Sequence, residues 1–440
     1  MRISRPIIYI CAIFTALAVS FFHKLNALYF FVFLVAIIIF FIRTRSDPAD
    51  RKFLIAMVIA ILISRFILSL YVMNIKGGTL SQDEGLYSKK ALMVSYGIKG
   101  MHGLEEDFFR FFNDDTDMLE KGYAFNTYTY MMGLFYHIFG YQVQAARLIG
   151  VILNIISFLT LFYLGKFMFG RSAGKTASAI FAFFPSIMAW SVAIGTDSLA
   201  ILCILAYLNS LVRLTKGFSA GQFFIAVFAA ISLMSVKHYI FILLVLVAVI
   251  TFLVILLGRY SSARRATLIL LIICVPALFY LSTNRAMTCW IDDISNKLVS
   301  DQGAFAALDD GGYFTYPTHC YKGFGHNMAD IVLGYANGMR YAVFAPFPWK
   351  IESRLQLMAY PQMAIWYFML PFIILGMYLA IKGKNIGNIP IISYLILVFS
   401  IFALAETNVG ALFRHRDMAT PFCLIYFSVG AEWVRQKYFT

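Results

Sequence analysis

Twelve apolar runs, each long enough or nearly long enough to cross a bilayer, are strung along this chain with only short polar breaks between most of them. They cover residues 7–22, 27–42, 53–73, 143–169, 174–192, 196–214, 220–236, 238–257, 266–283, 361–381, 388–405 and 418–434. A hydrocarbon core of about 30 Å asks for roughly twenty apolar helical residues, so the first two runs suit a tilted hairpin. Lipid offers backbone N–H and C=O groups no partner, which forces every such run to be helical. Only 13% of the 440 residues are charged and 61% are hydrophobic, where a soluble domain is nearer a quarter charged. The expected fold is an all-α polytopic membrane protein with about twelve transmembrane helices in a single domain over residues 1–440. The opening "MRISRPIIYICAIFTALAVSFF" has the makings of a signal peptide, but a second run follows after a four-residue break, which favours an uncleaved first span.

The net charge of +14 raises the question of nucleic acid, yet the basic residues are scattered in small clusters between apolar runs. That pattern is topology, and no nucleic-acid partner is expected. With the N-terminus in the cytoplasm, 18 of the 36 Lys and Arg fall at cytoplasmic span ends beside three acids, Asp47, Asp50 and Glu432. The other 19 of 22 acids then fall on the outer side or near outer span ends. Both termini are therefore expected in the cytoplasm, and the chemistry on the outer face. The absence of any Asn-x-Ser/Thr sequon leans towards a bacterial inner membrane.

Two long outer segments remain, 74–142 and 284–360. In the first, Tyr87, Ala91, Val94 and Ile98 share one helical face while Lys89 and Lys90 point elsewhere, which predicts a helix lying in the interface. "NTYTYMMGLFYHIFG" (126–140) is short for a span and is expected beside it. In the second, Pro346 and Pro348 should stop the helix begun in "DIVLGYANGMRYAVF". Cys11, Cys203, Cys274 and Cys423 fall in spans and read as packing. Cys289 and Cys320 flank thirty residues of the second outer segment, where a disulfide would contribute roughly 3–4 kcal/mol in an oxidising compartment.

Asp83 and Glu84 stand side by side about ten residues past the third run, immediately before the interfacial helix. A pair of loop acids is usually just solvated; held at bilayer level, it becomes a candidate for proton transfer. Cations recur at similar depth: Lys237 and His238 in a tight outer turn, Arg147 in the first turn of the fourth run, Arg414 and Arg416 ahead of the last. Charges at membrane depth are expensive and generally mark a ligand, a pair or a pathway, against the plainer reading of snorkelling to headgroups. Arg65 lies mid-span and needs a partner, Asp197 or a carbonyl. Asp197 itself opens a span, where a helix cap and dipole partner is as good a reading as a site role. His102, His137, His319 and His326 lack ligand spacing and read as structural.

Six stretches in order carry a resemblance. They are "DEGLYSKKALMVSYGIKG" (83–100), "FYHIFGYQVQAARLIGVILNIISFLTLFYLGKFMFG" (135–170), "FFPSIMAWSVAIGTDSLAIL" (183–202), "LMSVKHYIF" (233–241), "FAPFPWKIESRLQLMAYPQMAIWY" (344–367) and "FRHRDMATPFCLIYFSVGA" (413–431). Together the chain resembles the GT-C superfamily of membrane glycosyltransferases, in the branch that holds protein O-mannosyltransferases and the lipid A aminoarabinose transferase. The resemblance implies transfer of a sugar from a polyprenyl-phosphate donor on the outer face. It assigns the catalytic base to Asp83 and donor phosphate contacts to Lys237, Arg147, Arg414 and Arg416; Glu84 beside the base and His238 beside Lys237 join them as candidates. Lys121 is the nearest counterpart of a further phosphate-binding lysine, in a shifted register. No soluble domain is expected after the twelfth span, so the acceptor, whether lipid-linked, glycan or protein, does not carry over.

The residue types suit that chemistry independently. A carboxylate in reach of a hydroxyl takes its proton during attack, and Lys and Arg stabilise the phosphate that leaves. A divalent metal bridging acids and phosphate is compatible with this, but no second acidic cluster demands one. Two other readings fit outer cations: a polysaccharide polymerase or ligase, and a lipid or solute transporter. The latter calls for inverted repeats or broken spans that the sequence does not clearly hold.

Overall fold

The computed structural model describes residues 27–74, 83–98, 126–258, 328–349 and 354–439, apart from 384, 407 and 408. Among these the chain is helical throughout, with fifteen α-helices and no strand. The helices are α1 (Ala27–Arg45), α2 (Pro48–Asn74), α3 (Asp83–Ile98), α4 (Thr127–Phe139), α5 (Val143–Phe169), α6 (Arg171–Phe183), α7 (Pro185–Val192) and α8 (Asp197–Leu214). They continue with α9 (Ala220–Val236), α10 (His238–Gly258), α11 (Met328–Phe344), α12 (Arg354–Lys382), α13 (Asn388–Ala405), α14 (Val409–His415) and α15 (Thr420–Tyr438). A 3-10 turn, Arg416–Met418, joins the last two.

Five helices are long and apolar enough to cross a membrane by length and composition: Pro48–Val72, Val143–Phe169, Asp197–Leu214, His238–Leu256 and Ala359–Lys382. Ala220–Val236 and Asn388–Leu404 are shorter apolar helices. The chain is thus an all-α polytopic membrane protein. The expected spans 7–22 and 266–283 lie outside the described residues, as do Cys11, Cys274, Cys289 and Cys320. Cys203 and Cys423 are buried free thiols. The expected span 174–192 is corrected: it is two helices, α6 and α7, interrupted at Phe184. Pro185 causes this, because proline has no N–H for the preceding ladder yet suits the first position of a new helix.

Contacts group the chain into two compact units, residues 1–159 with 187–202, and residues 160–186 with 203–440. In the first unit α3 packs along α4. The close approach is at Gly133, where a β-carbon would run into Val94 and the Ala91 carbonyl. The Tyr87 and Tyr128 rings meet edge to face, 5.8 Å between centroids. The apolar stripe Tyr87, Ala91, Val94 is therefore real, but it is covered by α4. Lys89 is exposed, whereas Lys90 is only 8% exposed, so the expectation that both lysines point away fails for Lys90. Burial holds the Lys90 ammonium below the ordinary lysine range by desolvation.

Arg65 is wholly buried and reaches neither Asp197 nor a carbonyl. Its Nη2 donates to Asn154 Oδ1 at 3.1 Å and its Nη1 to Ser64 Oγ at 3.1 Å. Gly150, one turn beyond Arg147 on α5, lets the Ser191 carbonyl at the end of α7 come close, since a β-carbon there would collide with it. That approach delivers the loop 193–196 to its position in this unit.

In the second unit α12 and α15 are joined through small residues. A β-carbon on Gly376 would strike the Tyr426 carbonyl, and one on Gly430 the Phe372 carbonyl. In lipid, where apolar surface gains little from helix association, such close backbone packing holds helices together. Gly338 admits the Ala403 carbonyl in the same way between α11 and α13. As the two prolines foretold, α11 stops at Phe344, ahead of Pro346. A buried hydrogen-bonded knot joins three segments. Ser186 Oγ donates to Asp417 Oδ1 at 2.6 Å, Gln362 Nε2 donates to Ser186 Oγ at 2.9 Å, and Ser186 N–H donates to Gln362 Oε1 at 2.6 Å.

Candidate active site

Asp83 is the first residue of α3, so the acid pair stands at a helix N-terminus, where negative charge is favoured by the orphan N–H groups. Glu84 is 2% exposed. Its Oε2 lies 3.2 Å from Arg147 Nη2 and accepts the Ile194 N–H at 3.3 Å. Arg147 is 1% exposed, so this is a buried ion pair reinforced by a backbone donor. Three separated pieces of sequence are tied at one carboxylate: the start of α3, the first turns of α5, and the loop 193–196.

Hydroxyl groups surround this knot. Tyr128 is 1% exposed and bonded to the Gly195 backbone. Burial pushes its phenol above the ordinary range, with the Tyr136 phenol and the Tyr87 and Glu84 charges adding to the effect. The Ser88 and Tyr136 hydroxyls share a hydrogen bond of 2.9 Å. Burial raises Tyr136 too, against the opposing effect of that bond. Both phenols therefore stay protonated across any working pH. They serve as hydrogen-bonding posts, and neither competes with a carboxylate as a base. Asp197 lies in the first turn of α8 and is 5% exposed, in keeping with the dipole reading of its position.

The second unit gathers cations. Lys237 closes α9 with a non-helical backbone, φ −145° and ψ 76°, and is half-buried; His238 opens α10 and is exposed. The next residue, Tyr239, reaches the other basic turn: its ring is 6.4 Å from that of His415, and its hydroxyl meets Met418 Sδ at 4.0 Å. The Lys237–His238 turn and the Arg414–Arg416 segment, predicted separately, are thus neighbours in this unit. Within the segment the two arginines differ. Arg414 is half-buried. Arg416 is 4% exposed; its Nε donates to the Ala342 carbonyl at 3.0 Å, its Nη2 to the Ala345 carbonyl, and its Nη1 reaches Met363 Sδ. The guanidinium also sits 5.5 Å from the Trp366 ring.

Sequence reading passed over His415 and Glu406. His415 Nδ1 is 2.7 Å from Glu406 Oε2, and its ring stacks on Phe402 at 6.0 Å. Both are part-buried, 18% and 14% exposed. An acid at the end of one apolar run and a histidine at the start of the next were available signals, but His415 was hidden between two arginines. Lys121 lies outside the described residues. Among the described residues no group of three or more His, Cys, Asp or Glu is placed to hold a metal ion.

Residues 127–281 match the family described as dolichyl-phosphate-mannose-protein mannosyltransferase. That family belongs to the GT-C superfamily, which bears out the resemblance carried by the ordered stretches. The matched region holds Arg147, Ile194, Asp197, Lys237 and His238; it begins after α3, so Asp83 and Glu84 precede it. No curated protein matches the chain. Helical membrane architecture and family match together support a membrane glycosyltransferase of the GT-C type.

Proposed function

We propose that this GT-C-type glycosyltransferase moves a sugar from a polyprenyl-phosphate donor to an acceptor on the outer membrane face, with inversion and with Asp83 as general base. The observation that carries the assignment is the Glu84–Arg147–Ile194 knot. It fixes the N-terminus of α3 at two buried side chains and a backbone N–H, so the adjacent Asp83 starts from a rigid platform. A base must be held within a fraction of an ångström to act, and a buried ion pair next door is a means of doing so. Glu84 and Arg147 are in this reading positioning residues. Lys237 and Arg414, with His238 beside Lys237, are the groups offered for the donor phosphate, and Arg416 braces the turn in which Arg414 lies.

Asp83 takes the proton of the acceptor hydroxyl while its oxygen attacks the anomeric carbon. The bond from that carbon to the phosphate oxygen breaks, and polyprenyl phosphate leaves as the anion. Its developing charge is met by the lysine and arginine groups. One displacement inverts the anomeric configuration. The printed description of the matched family, a dolichyl-phosphate-linked mannose donor, supports a donor of this chemical kind. The charge asymmetry of the loops supports termini in the cytoplasm and chemistry outside, and the lack of sequons favours the inner membrane of a bacterium.

The test uses purified protein. Mass spectrometry of co-purified lipid identifies the donor, and a transfer assay with that lipid follows, reading product configuration by NMR. Inverted product with release of polyprenyl phosphate is the expected result. Retained configuration, or transfer of a preassembled oligosaccharide, contradicts the reading.

A further inference from the structure

At the ends of α1 and α2 opposite the site, Arg43, Arg51 and Lys52 line an open groove of about 570 Å³ together with Ile55, Ala56 and Ile59. The arrangement is layered. Arg51, Ile55 and Ile59 follow one another at a spacing of four along α2, so the cationic rim gives way directly to an apolar floor running into the span. Arg51 is held in place: its Nε donates to the Ser46 carbonyl at 3.0 Å, in the turn between the helices. Among the described residues no carboxylate lies within ion-pair distance of Arg43, Arg51 or Lys52. Asp50 is completely buried. Ile59 is 45% exposed, an apolar surface open to the bilayer beneath the cations.

We propose that this groove is a binding site for an anionic phospholipid, phosphatidylglycerol in kind, its phosphate between the three cations and its chains along Ile55 and Ile59. Scattered cations at an inner membrane face explain topology and need no ligand. Three gathered on one groove with apolar rungs directly below match a lipid in both its parts, headgroup and chain. Each basic residue near a membrane surface contributes about 1 kcal/mol of attraction to anionic lipid, about fivefold in affinity. The site stands on the membrane architecture alone and is independent of the transfer chemistry.

Native mass spectrometry of detergent-purified protein titrated with phosphatidylglycerol, or with phosphatidylcholine of identical chains, tests this. Phosphatidylglycerol is expected to bind preferentially. The triple variant Arg43→Gln, Arg51→Gln, Lys52→Gln is expected to bind it roughly a hundredfold more weakly. The variant Lys382→Gln, Arg435→Gln, Lys437→Gln, with the same change in net charge, should bind as the wild type does. Equal binding of both lipids, or equal loss in both variants, overturns the proposal. Should the first variant fail to fold, hydrogen exchange on the unaltered chain decides. Phosphatidylglycerol is expected to slow exchange over residues 43–59. No slowing, or equal slowing by inorganic phosphate, overturns it.

Discussion

Glu84 and Arg416 are both charged, both nearly inaccessible, and both lie within two residues of one proposed for chemistry, yet the contacts described for them differ. Glu84 is met by a full opposite charge, Arg147, plus one backbone donor. Arg416 is met by two carbonyls, a thioether and an aromatic ring. The first arrangement is electrostatic and fails abruptly when one partner is removed. The contacts named for Arg416 bridge α11, α12 and the 3-10 turn, and losing them should be felt by degrees. In each unit the buried charge serves as a brace: Glu84 directly follows Asp83, and Arg416 lies two residues after Arg414.

That contrast can be broken in order of expected effect. Arg147→Met strands a buried carboxylate and should lower stability by about 3–5 kcal/mol, read as the denaturation midpoint in detergent. Adding Glu84→Gln should recover much of it, because the stranded charge goes; an additive double variant would show that the two residues are not coupled. Arg416→Met leaves two carbonyls without their donor and should cost about 1–3 kcal/mol. If it proves as costly as Arg147→Met, the distinction between the two braces collapses. Glu406→Gln keeps the shape of the His415 partner but removes its charge. A loss of about 1 kcal/mol is expected, read as the unfolding midpoint.

The smallest effect concerns Lys90. Its native pKa lies below the unfolded value of 10.5, so the native state binds this proton less tightly than the unfolded chain does. Stability should therefore climb with pH between the lowered native value and 10.5, and level off above. Comparing unfolding midpoints of wild type and Lys90→Met across that window checks the sign. A climb of equal size in both would assign it to another group.

Much of the helical framework could be read from hydropathy. Val143–Phe169, Ala220–Val236 and Asn388–Ala405 begin and end where the apolar runs do. Lipid demands helix wherever the run is long enough, so sequence and structure agree there almost by necessity. The failures come where tertiary contacts decide. Lys90 is buried although its charge says otherwise, because α3 is packed rather than afloat. Arg65 settles on Asn154, an amide with no charge to advertise it. Glu84 and Arg147 were legible singly, but nothing in local pattern places residues 84, 147 and 194 together. Glu406 and His415 were each visible at the ends of apolar runs, but nothing in local pattern pairs them.

The most direct measurement compares Asp83→Asn with Glu84→Gln in one transfer assay, each alongside its unfolding midpoint. If Asp83 is the base and Glu84 its support, Asp83→Asn unfolds as the wild type does and loses about 10²–10⁴-fold in rate. Glu84→Gln should show a lowered midpoint and a smaller loss in rate. Asp83→Asn that folds normally and transfers sugar at the wild-type rate would contradict the account at its centre.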